Sequence, residues 1–150
     1  MDTLKARRLA ERELAGLNDR SGGPLIDHVA RVASAVPPEA RAVAWLHEAI
    51  EHAGVTEDTL RQAGLDDEAI TAVRLLTRAA EEPYDTHALG LAFAPGRSGR
   101  LARMVKVADL DDHLAHIPPT VDAPPYAWAR RHIAWADLPV PVRRAGPLAA

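Results

Sequence analysis

Apolar residues recur every three or four positions through most of this chain, which is the spacing of a helix with one buried face. Between residues 25 and 36, for example, Leu25, Val29, Val32 and Val36 form such a stripe, and Pro37 follows it. No segment alternates apolar and polar residues between turn-forming residues, as a half-buried strand would. The predicted helices cover residues 3–16, 25–36, 38–53, 57–63, 67–77, 81–91, 100–116 and 125–136. The expected fold class is therefore all-α, a single-domain helical bundle of about six to eight helices.

Residues that favour helix ends define several of these boundaries. Thr56 and Asp66 are predicted N-caps, because their side-chain oxygens can accept hydrogen bonds from the first turn. Gly54 is predicted to end the third helix. The run Pro95-Gly96-Arg97-Ser98-Gly99 predicts a loop. The helical domain is predicted to span residues 1–137, and the proline-containing segment 138–150 is predicted to be a C-terminal tail.

The composition excludes several kinds of chemistry and partner. The 150 residues include no cysteine, which removes disulfides, thiolate metal ligands and thiol nucleophiles. The formal net charge of −3 gives no basic field for nucleic acid or an anionic membrane. No apolar run approaches the roughly 20 residues of a membrane span, and the N-terminus lacks the apolar core of a signal peptide. We therefore expect a cytoplasmic protein without nucleic-acid or membrane partners. An exposed Trp128 or Trp135 on the last helix would mark a homodimer contact.

Candidate chemistry is concentrated between residues 45 and 52. On a continuous helix, His47, Glu48, Glu51 and His52 would lie within an arc of roughly 140°, beside an apolar stripe. Imidazole and carboxylate groups placed so closely suit a divalent metal site or an acid–base site. The alternative is an ordinary solvated helix face. The zinc-protease motif His-Glu-x-x-His is excluded, because residue 51 is glutamate and the second histidine is residue 52.

Two further polar residues are expected to face the interior. His28 lies beside the apolar stripe of the second helix, where it is either a core histidine with satisfied hydrogen bonds or a ligand. Asp109 lies among valine, alanine and leucine residues of the helix predicted at 100–116. A buried carboxylate requires a metal, a cation or hydrogen-bond donors. In contrast, the neighbouring Asp111 and Asp112 are interpreted as part of a solvated helix face.

Taken in order, these residues form the segments Ile-Asp-His, Trp-Leu-His-Glu-Ala-Ile-Glu and Lys-Val-Ala-Asp-Leu. This pattern resembles the HD-domain metal-dependent phosphohydrolases, and within them it is most similar to the hydrolases of the guanosine tetra- and pentaphosphate alarmones. The resemblance covers roughly residues 12–116, and its elements come in the family's order. The matching residues are Asp19, Arg20, Gly22, Pro24, Leu25, Ile26, His28, His47, Glu51, Leu75, Leu76, Thr77, Tyr84, Lys106, Ala108 and Asp109.

The resemblance implies a role for each part of the pattern. The implied metal ligands are His28, His47, Glu48 and Asp109. Glu51 would orient or deprotonate the attacking water, and His52 would act as an acid toward the leaving oxygen or as an added ligand. The implied substrate contacts are Arg20, Lys106, His113 and Tyr84. The implied cofactor is Mn²⁺, while Fe²⁺, Zn²⁺ and Ni²⁺ also suit two imidazoles and two carboxylates. The implied ligand is a small-molecule nucleotide that carries a pyrophosphate.

The chain departs from the family pattern where the family contacts metal or substrate. Glu48 and His52 each replace an aspartate, and His113 replaces an asparagine. The other departures are Leu14, His87 and Gly90, in place of a histidine, a tyrosine and an arginine. Three functions therefore stay open. They are a phosphohydrolase of a nucleotide pyrophosphate, a degenerate HD-domain protein that binds metal or nucleotide without hydrolysing it, and an HD-domain hydrolase or lyase with another substrate.

Overall fold

The chain is helical through most of its described length. The computed structural model describes residues 2–117 and 123–139. Its α-helices are α1 (Thr3–Glu13), α2 (Leu25–Ala35), α3 (Arg41–Leu46), α4 (Ala49–Ala53), α5 (Glu57–Gln62), α6 (Asp67–Leu76), α7 (Tyr84–Phe93), α8 (Gly96–His116) and α9 (Pro124–Ala136), and a 3₁₀ turn (Pro38–Ala40) precedes α3. These two ranges contain no strand, so the all-α prediction is confirmed. They contain nine α-helical segments, more than predicted, because the helix expected over residues 38–53 is divided into the 3₁₀ turn, α3 and α4.

The predicted helix caps are confirmed. Thr56 and Asp66 accept hydrogen bonds from the backbone amides of Thr59 and Ala69, at 3.2 and 2.9 Å. Gly54 ends α4 with a φ of 65°, a left-handed conformation that a residue with a Cβ atom adopts at a cost. Since a cap of this kind typically contributes about 1 kcal/mol, these local signals are strong enough to define the ends of short helices.

The loop predicted over residues 95–99 is wrong, because most of this stretch forms the first turn of α8. Gly99 permits close packing there, since a Cβ atom on it would lie 2.0 Å from the carbonyl oxygen of Ala94. Arg97 ion-pairs with Asp66 at 3.1 Å, which ties this turn to the start of α6. Contacts between residues distant in sequence thus override a local turn signal.

Two other predicted helix ends differ by about one turn. α1 ends at Glu13 rather than at residue 16, and the backbone reverses through Gly16, whose φ is 75°. α7 begins at Tyr84 rather than at residue 81, directly after Pro83. A proline disfavours helical conformation in the residue before it, which explains why the helix does not begin earlier.

α8 is the central helix of the fold and packs against α2, α3, α6, α7 and α9. Because its neighbours remove several of its sides from water, each polar side chain on these sides needs a partner. Arg103 shows how this is achieved, since its guanidinium donates to the carbonyls of Leu91 and Ala94 and ion-pairs with Asp137. Asp109 is buried on the same helix. Its partners form the candidate site.

The C-terminal part of the prediction is only partly covered by the structure. Of the predicted tail, residues 138 and 139 are described and 140–150 lie outside the described residues. Trp128 and Trp135 on α9 are both half-buried, and the homodimer stays a prediction. Within the described ranges, none of the helices combines the length and the apolar character that crossing a bilayer requires.

Candidate metal centre

Two helices and the turn between two others bring four candidate ligands to one point. His28 comes from α2 and Asp109 from α8, while His47 and Glu48 form the turn between α3 and α4. His28, His47 and Asp109 are almost fully buried, and Glu48 is half-buried. One potential ligand atom from each residue lies within 4.8 Å of the others. The structure therefore brings together the residues that the sequence pattern selected.

The continuous helix predicted through this site is wrong. α3 ends at Leu46 and α4 begins at Ala49, so that His47 and Glu48 lie in the interruption. The interruption leaves His47 buried in the core, whereas Glu51 and His52 on α4 remain exposed. The four polar residues of the segment 45–52 therefore do not share one uniform face. They divide into two inner residues and two residues at the rim.

Each histidine of the cluster is oriented by a hydrogen bond at its Nδ1 atom. His47 Nδ1 donates to the carbonyl oxygen of Ala44 at 2.7 Å. His28 Nδ1 donates to the carboxylate Oδ2 of Asp112, also at 2.7 Å. Because these bonds occupy Nδ1, the Nε2 atoms face the shared point. Metal-binding histidines commonly donate their other ring N–H to a carbonyl or a carboxylate in this way.

The interpretation of Asp112 as a solvated residue is wrong. Its side chain is only 10% exposed and ion-pairs with Arg31 at 2.7 Å in addition to its bond with His28. The neighbouring Asp111 is exposed and pairs instead with Arg130 at 2.6 Å. A sequence signal for Asp112 did exist, because it lies three residues after Asp109 and therefore on the same side of the helix.

The separations between the candidate ligand atoms are close to those of a coordination shell. His28 Nε2 lies 3.1 Å from Asp109 Oδ1 and 3.7 Å from Glu48 Oε1. His47 Nε2 lies 3.3 Å from Glu48 Oε1 and 3.7 Å from Asp109 Oδ1. Ligands about 2.1 Å from a cation stand about 3.0–3.4 Å apart in octahedral or tetrahedral geometry. Two of the four separations lie within that range, and the two of 3.7 Å are slightly longer. Both Nε2 atoms and Asp109 Oδ1 are buried and make no hydrogen bond within the described part of the chain. These four residues could therefore hold a metal ion.

The cluster also shifts the pKa values of its own members. Burial opposes the charge on Asp109, but Lys106 and the two histidines outweigh it and hold the pKa of the aspartate well below its usual range. Burial likewise opposes the imidazolium of His28, but the carboxylates of Asp109 and Glu48 raise its pKa to about 10. Against the same burial, Glu48 and Asp109 raise the pKa of His47 to about 9. A metal ion would therefore displace protons from both imidazoles as it binds.

The two candidate catalytic residues lie at the rim of the cluster. The Oε2 atom of Glu51 accepts a long hydrogen bond, 3.4 Å, from the backbone amide of Arg78. His52 is 45% exposed, and its Nε2 lies 2.8 Å from Oε2 of Glu48. Glu48 thus presents Oε1 to the buried histidines and Oε2 to His52. The connection between His52 and the cluster runs through this shared carboxylate.

A cavity of about 200 Å³ adjoins the cluster, and all four predicted substrate contacts line it. Lys106 Nζ lies 2.8 Å from Asp109 Oδ2. The ring of His113 stacks on His28 with their centroids 4.9 Å apart, and burial lowers the pKa of His113. The hydroxyl of Tyr84 is buried and finds no hydrogen-bond partner among the described residues. Arg20 is exposed, in the loop before α2.

The cavity has one further wall that the sequence analysis missed. Tyr126 of α9 lines it, and its hydroxyl accepts a hydrogen bond from Arg20 Nη1 at 2.6 Å. Its ring lies 5.6 Å from that of Tyr84 in an edge-on arrangement. α9 follows the segment that carries the family resemblance, and no local motif distinguishes this tyrosine from one that packs in the core.

A scan against protein-family models finds no match to this chain, and a search among curated proteins finds no significant match. The HD-domain resemblance therefore stays a prediction. The functional inference depends on the geometry of the cluster and its cavity.

Proposed function

We propose that this protein is a metal-dependent phosphohydrolase whose substrate is a nucleotide pyrophosphate similar to the guanosine 3'-pyrophosphate alarmones. The observation that supports this proposal most strongly is the convergence of two imidazole nitrogens and two carboxylates on one buried point. A second observation is the presence of Arg20, Arg78 and Lys106 on the adjoining cavity. Metal ligands beside cationic side chains suit a substrate that carries phosphate groups.

The proposed ligands of the metal are His28, His47, Glu48 and Asp109. Two neutral imidazoles and two carboxylates balance the charge of a divalent cation, and Mn²⁺ is the cofactor that we propose. Fe²⁺, Zn²⁺ and Ni²⁺ suit the same ligand atoms. When bound, such a cation supplies Lewis acidity, which favours the ionisation of water and polarises a phosphoryl oxygen. The protein holds the imidazoles in place for this purpose through their Nδ1 hydrogen bonds.

Glu51 and His52 are the proposed groups for proton transfer. Glu51 is exposed and lines the cavity one turn after His47, where its carboxylate can accept the proton of an attacking water. The hydrogen bond with Glu48 raises the pKa of His52, which favours the protonated imidazole. A protonated His52 can donate to the oxygen that leaves when the phosphorus–oxygen bond breaks.

The remaining cavity residues are proposed to bind the substrate's phosphates. Burial opposes the charge on Lys106, but the carboxylate of Asp109 outweighs it and raises the pKa of the lysine. Lys106 therefore stays an ammonium group that can neutralise phosphate. Arg20 offers a planar guanidinium, which can bind two phosphate oxygens at once. The hydroxyl of Tyr84, which has no hydrogen-bond partner within residues 2–117 and 123–139, adds a hydrogen-bond donor, and the half-buried ring of His113 completes this side of the cavity.

A second candidate function is the binding of metal or nucleotide without hydrolysis. The observation that favours it is the 2.8 Å contact between His52 and Glu48. This contact engages the proposed acid with a proposed metal ligand, so that His52 completes the cluster instead of acting on a substrate. The metal cluster would then be a structural or ligand-binding feature.

Metal content and turnover, measured together, test the first proposal. We expect the purified chain to bind Mn²⁺ and to release pyrophosphate from guanosine tetraphosphate, with no activity after chelation. Glu51→Gln should keep the metal and lose about 10²–10⁴-fold in kcat, because the water loses its proton acceptor. Glu39→Gln is a matched control on the exposed 3₁₀ turn and should change neither quantity. A wild-type chain that hydrolyses no nucleotide of a panel, with or without bound metal, would refute the proposal.

The double variant Glu48→Asp with His52→Asp distinguishes the two candidate functions. It restores the residues that the family pattern has at these positions. If hydrolysis occurs in the double variant and not in the wild-type chain, the natural protein is a binding protein. If the wild-type chain hydrolyses the substrate and His52→Asp abolishes this activity, His52 has the catalytic role proposed above.

A further inference from the structure

We propose that Tyr126 of α9 is a positioning residue, which holds the guanidinium of Arg20 over the candidate active site. This inference rests on the proposed function, in which Arg20 binds substrate phosphate. The two residues are 106 positions apart in the sequence, yet Arg20 Nη1 donates to the Tyr126 hydroxyl at 2.6 Å. Both side chains line the same cavity as the metal cluster. The bond therefore connects the loop before α2 with the last described helix at the cavity wall.

The loop that carries Arg20 is ordered locally by hydrogen bonds to the Asp19 carboxylate, which come from two backbone amides and from the Ser21 hydroxyl. The carboxylate of Asp19 accepts from the backbone amides of Ser21 and Gly23, at 2.9 and 3.1 Å. These bonds determine the course of the main chain around residue 20. They leave the long arginine side chain to be oriented by its contact with α9.

The contacts of Tyr126 fix it as a hydrogen-bond partner for the Arg20 guanidinium. Its ring stacks on His113 with an interplanar angle of 21°, and His113 stacks in turn on the ligand candidate His28 with an angle of 26°. Tyr126 also contacts the ring of Tyr84 in an edge-on arrangement. α9 itself packs against α7 and α8. A tyrosine that contacts two rings, on a helix that packs against two others, can orient a flexible side chain at little further entropic cost.

The expected consequence is an effect on ligand binding and not on the chemical step. An arginine already held in its binding orientation loses less side-chain freedom when a phosphate arrives. Tyr126→Phe keeps the ring and removes only the hydroxyl. We expect this variant to bind a phosphate ligand about 5–10-fold more weakly and to raise KM by the same factor, with kcat within about twofold of the wild type.

A double-mutant cycle on the full-length, Mn²⁺-loaded chain tests the inference. Binding of inorganic pyrophosphate and of guanosine diphosphate is measured by calorimetry for the wild type, Tyr126→Phe, Arg20→Ala and the double variant. Tyr126→Phe should weaken both probes, and the double variant should bind no more weakly than Arg20→Ala, because the hydroxyl acts through Arg20. Additive losses, a loss for guanosine diphosphate alone, or a wild-type chain that binds neither probe would overturn the positioning role.

Arg130→Ala is the matched control for a general loosening of α9. Arg130 ion-pairs with Asp111 and so attaches α9 to α8 without lining the cavity. This variant should leave the binding of both probes unchanged, and a loss equal to that of Tyr126→Phe would overturn the inference.

Measurement of turnover distinguishes the failure of the proposed function from the failure of the positioning role. A wild-type chain that binds pyrophosphate with a non-additive cycle but hydrolyses nothing refutes the proposed function alone, whereas hydrolysis with an additive cycle refutes the positioning role alone.

Discussion

Replacement of Asp112 by asparagine would test directly whether the histidine cluster binds metal. Asp112 accepts the Nδ1 proton of His28 at 2.7 Å, and asparagine keeps the size of the side chain while removing its charge. Loss of such a partner typically lowers metal affinity about 10–100-fold, or about 1.4–2.8 kcal/mol. We expect the affinity of the Asp112→Asn variant for Mn²⁺ to fall by this amount.

Two other effects of the substitution are smaller. Burial opposes the charge on His28, while Asp109, Glu48 and Asp112 together raise its pKa, so the variant also weakens the competition between protons and metal. Of these three carboxylates, Asp112 contributes least to the raised pKa of His28. Most of the competition between protons and metal for His28 therefore remains in the variant. The lost pair with Arg31, whose side chain is 41% exposed, contributes about 1 kcal/mol at most to stability. The net expectation is weaker metal binding.

Competition with a chromophoric chelator at neutral pH measures the affinity. Asp111→Asn is the matched control, because it makes the same chemical change one residue away on an exposed carboxylate that pairs with Arg130. If both variants bind Mn²⁺ as tightly as the wild type, Asp112 does not support a metal-binding imidazole, and the reasoning is refuted.

Three further predictions concern stability. Gly99→Ala should destabilise the fold by about 1–3 kcal/mol in denaturant unfolding, because its Cβ atom would lie 2.0 Å from the carbonyl oxygen of Ala94. Gly90→Ala, also within a helix but with nothing within 4 Å of the added atom, should stabilise by up to about 1 kcal/mol, and equal effects of the two would contradict the packing argument. In chelated protein, burial opposes the charges on His28 and His47, but nearby carboxylates raise their pKa values to about 10 and about 9. The stabilisation from these raised pKa values is complete below about pH 6.5 and is lost as the pH rises toward 10, a decline of a few kcal/mol that pH-dependent unfolding would detect. Added Mn²⁺ should raise the melting temperature of the wild-type chain by mass action but should have much less effect on His47→Ala, and an equal rise in both would place the metal elsewhere.

Much of the fold was predictable because its signals are local. Each helix carries its own apolar periodicity, and Thr56 and Asp66 cap α5 and α6 through hydrogen bonds within one turn. The start of α8 was not predictable in this way. There, Gly99 packs against the carbonyl of Ala94 and Arg97 pairs with Asp66 of another helix, whereas local propensity favours a loop.

Imidazole and carboxylate groups among apolar neighbours are unusual and need partners, which made His28, Asp109 and the segment 45–52 candidates, and the HD-domain resemblance then indicated the four ligands. By itself the sequence determined the helical class and most helix positions, and through that resemblance it pointed to the four residues that could hold a metal. Only the tertiary structure decided that the helix breaks at His47, that Asp112 supports His28 and that Tyr126 reaches Arg20. The physical reason is that periodicity and capping act within a few residues, whereas these contacts form only when separate helices pack together and exclude water.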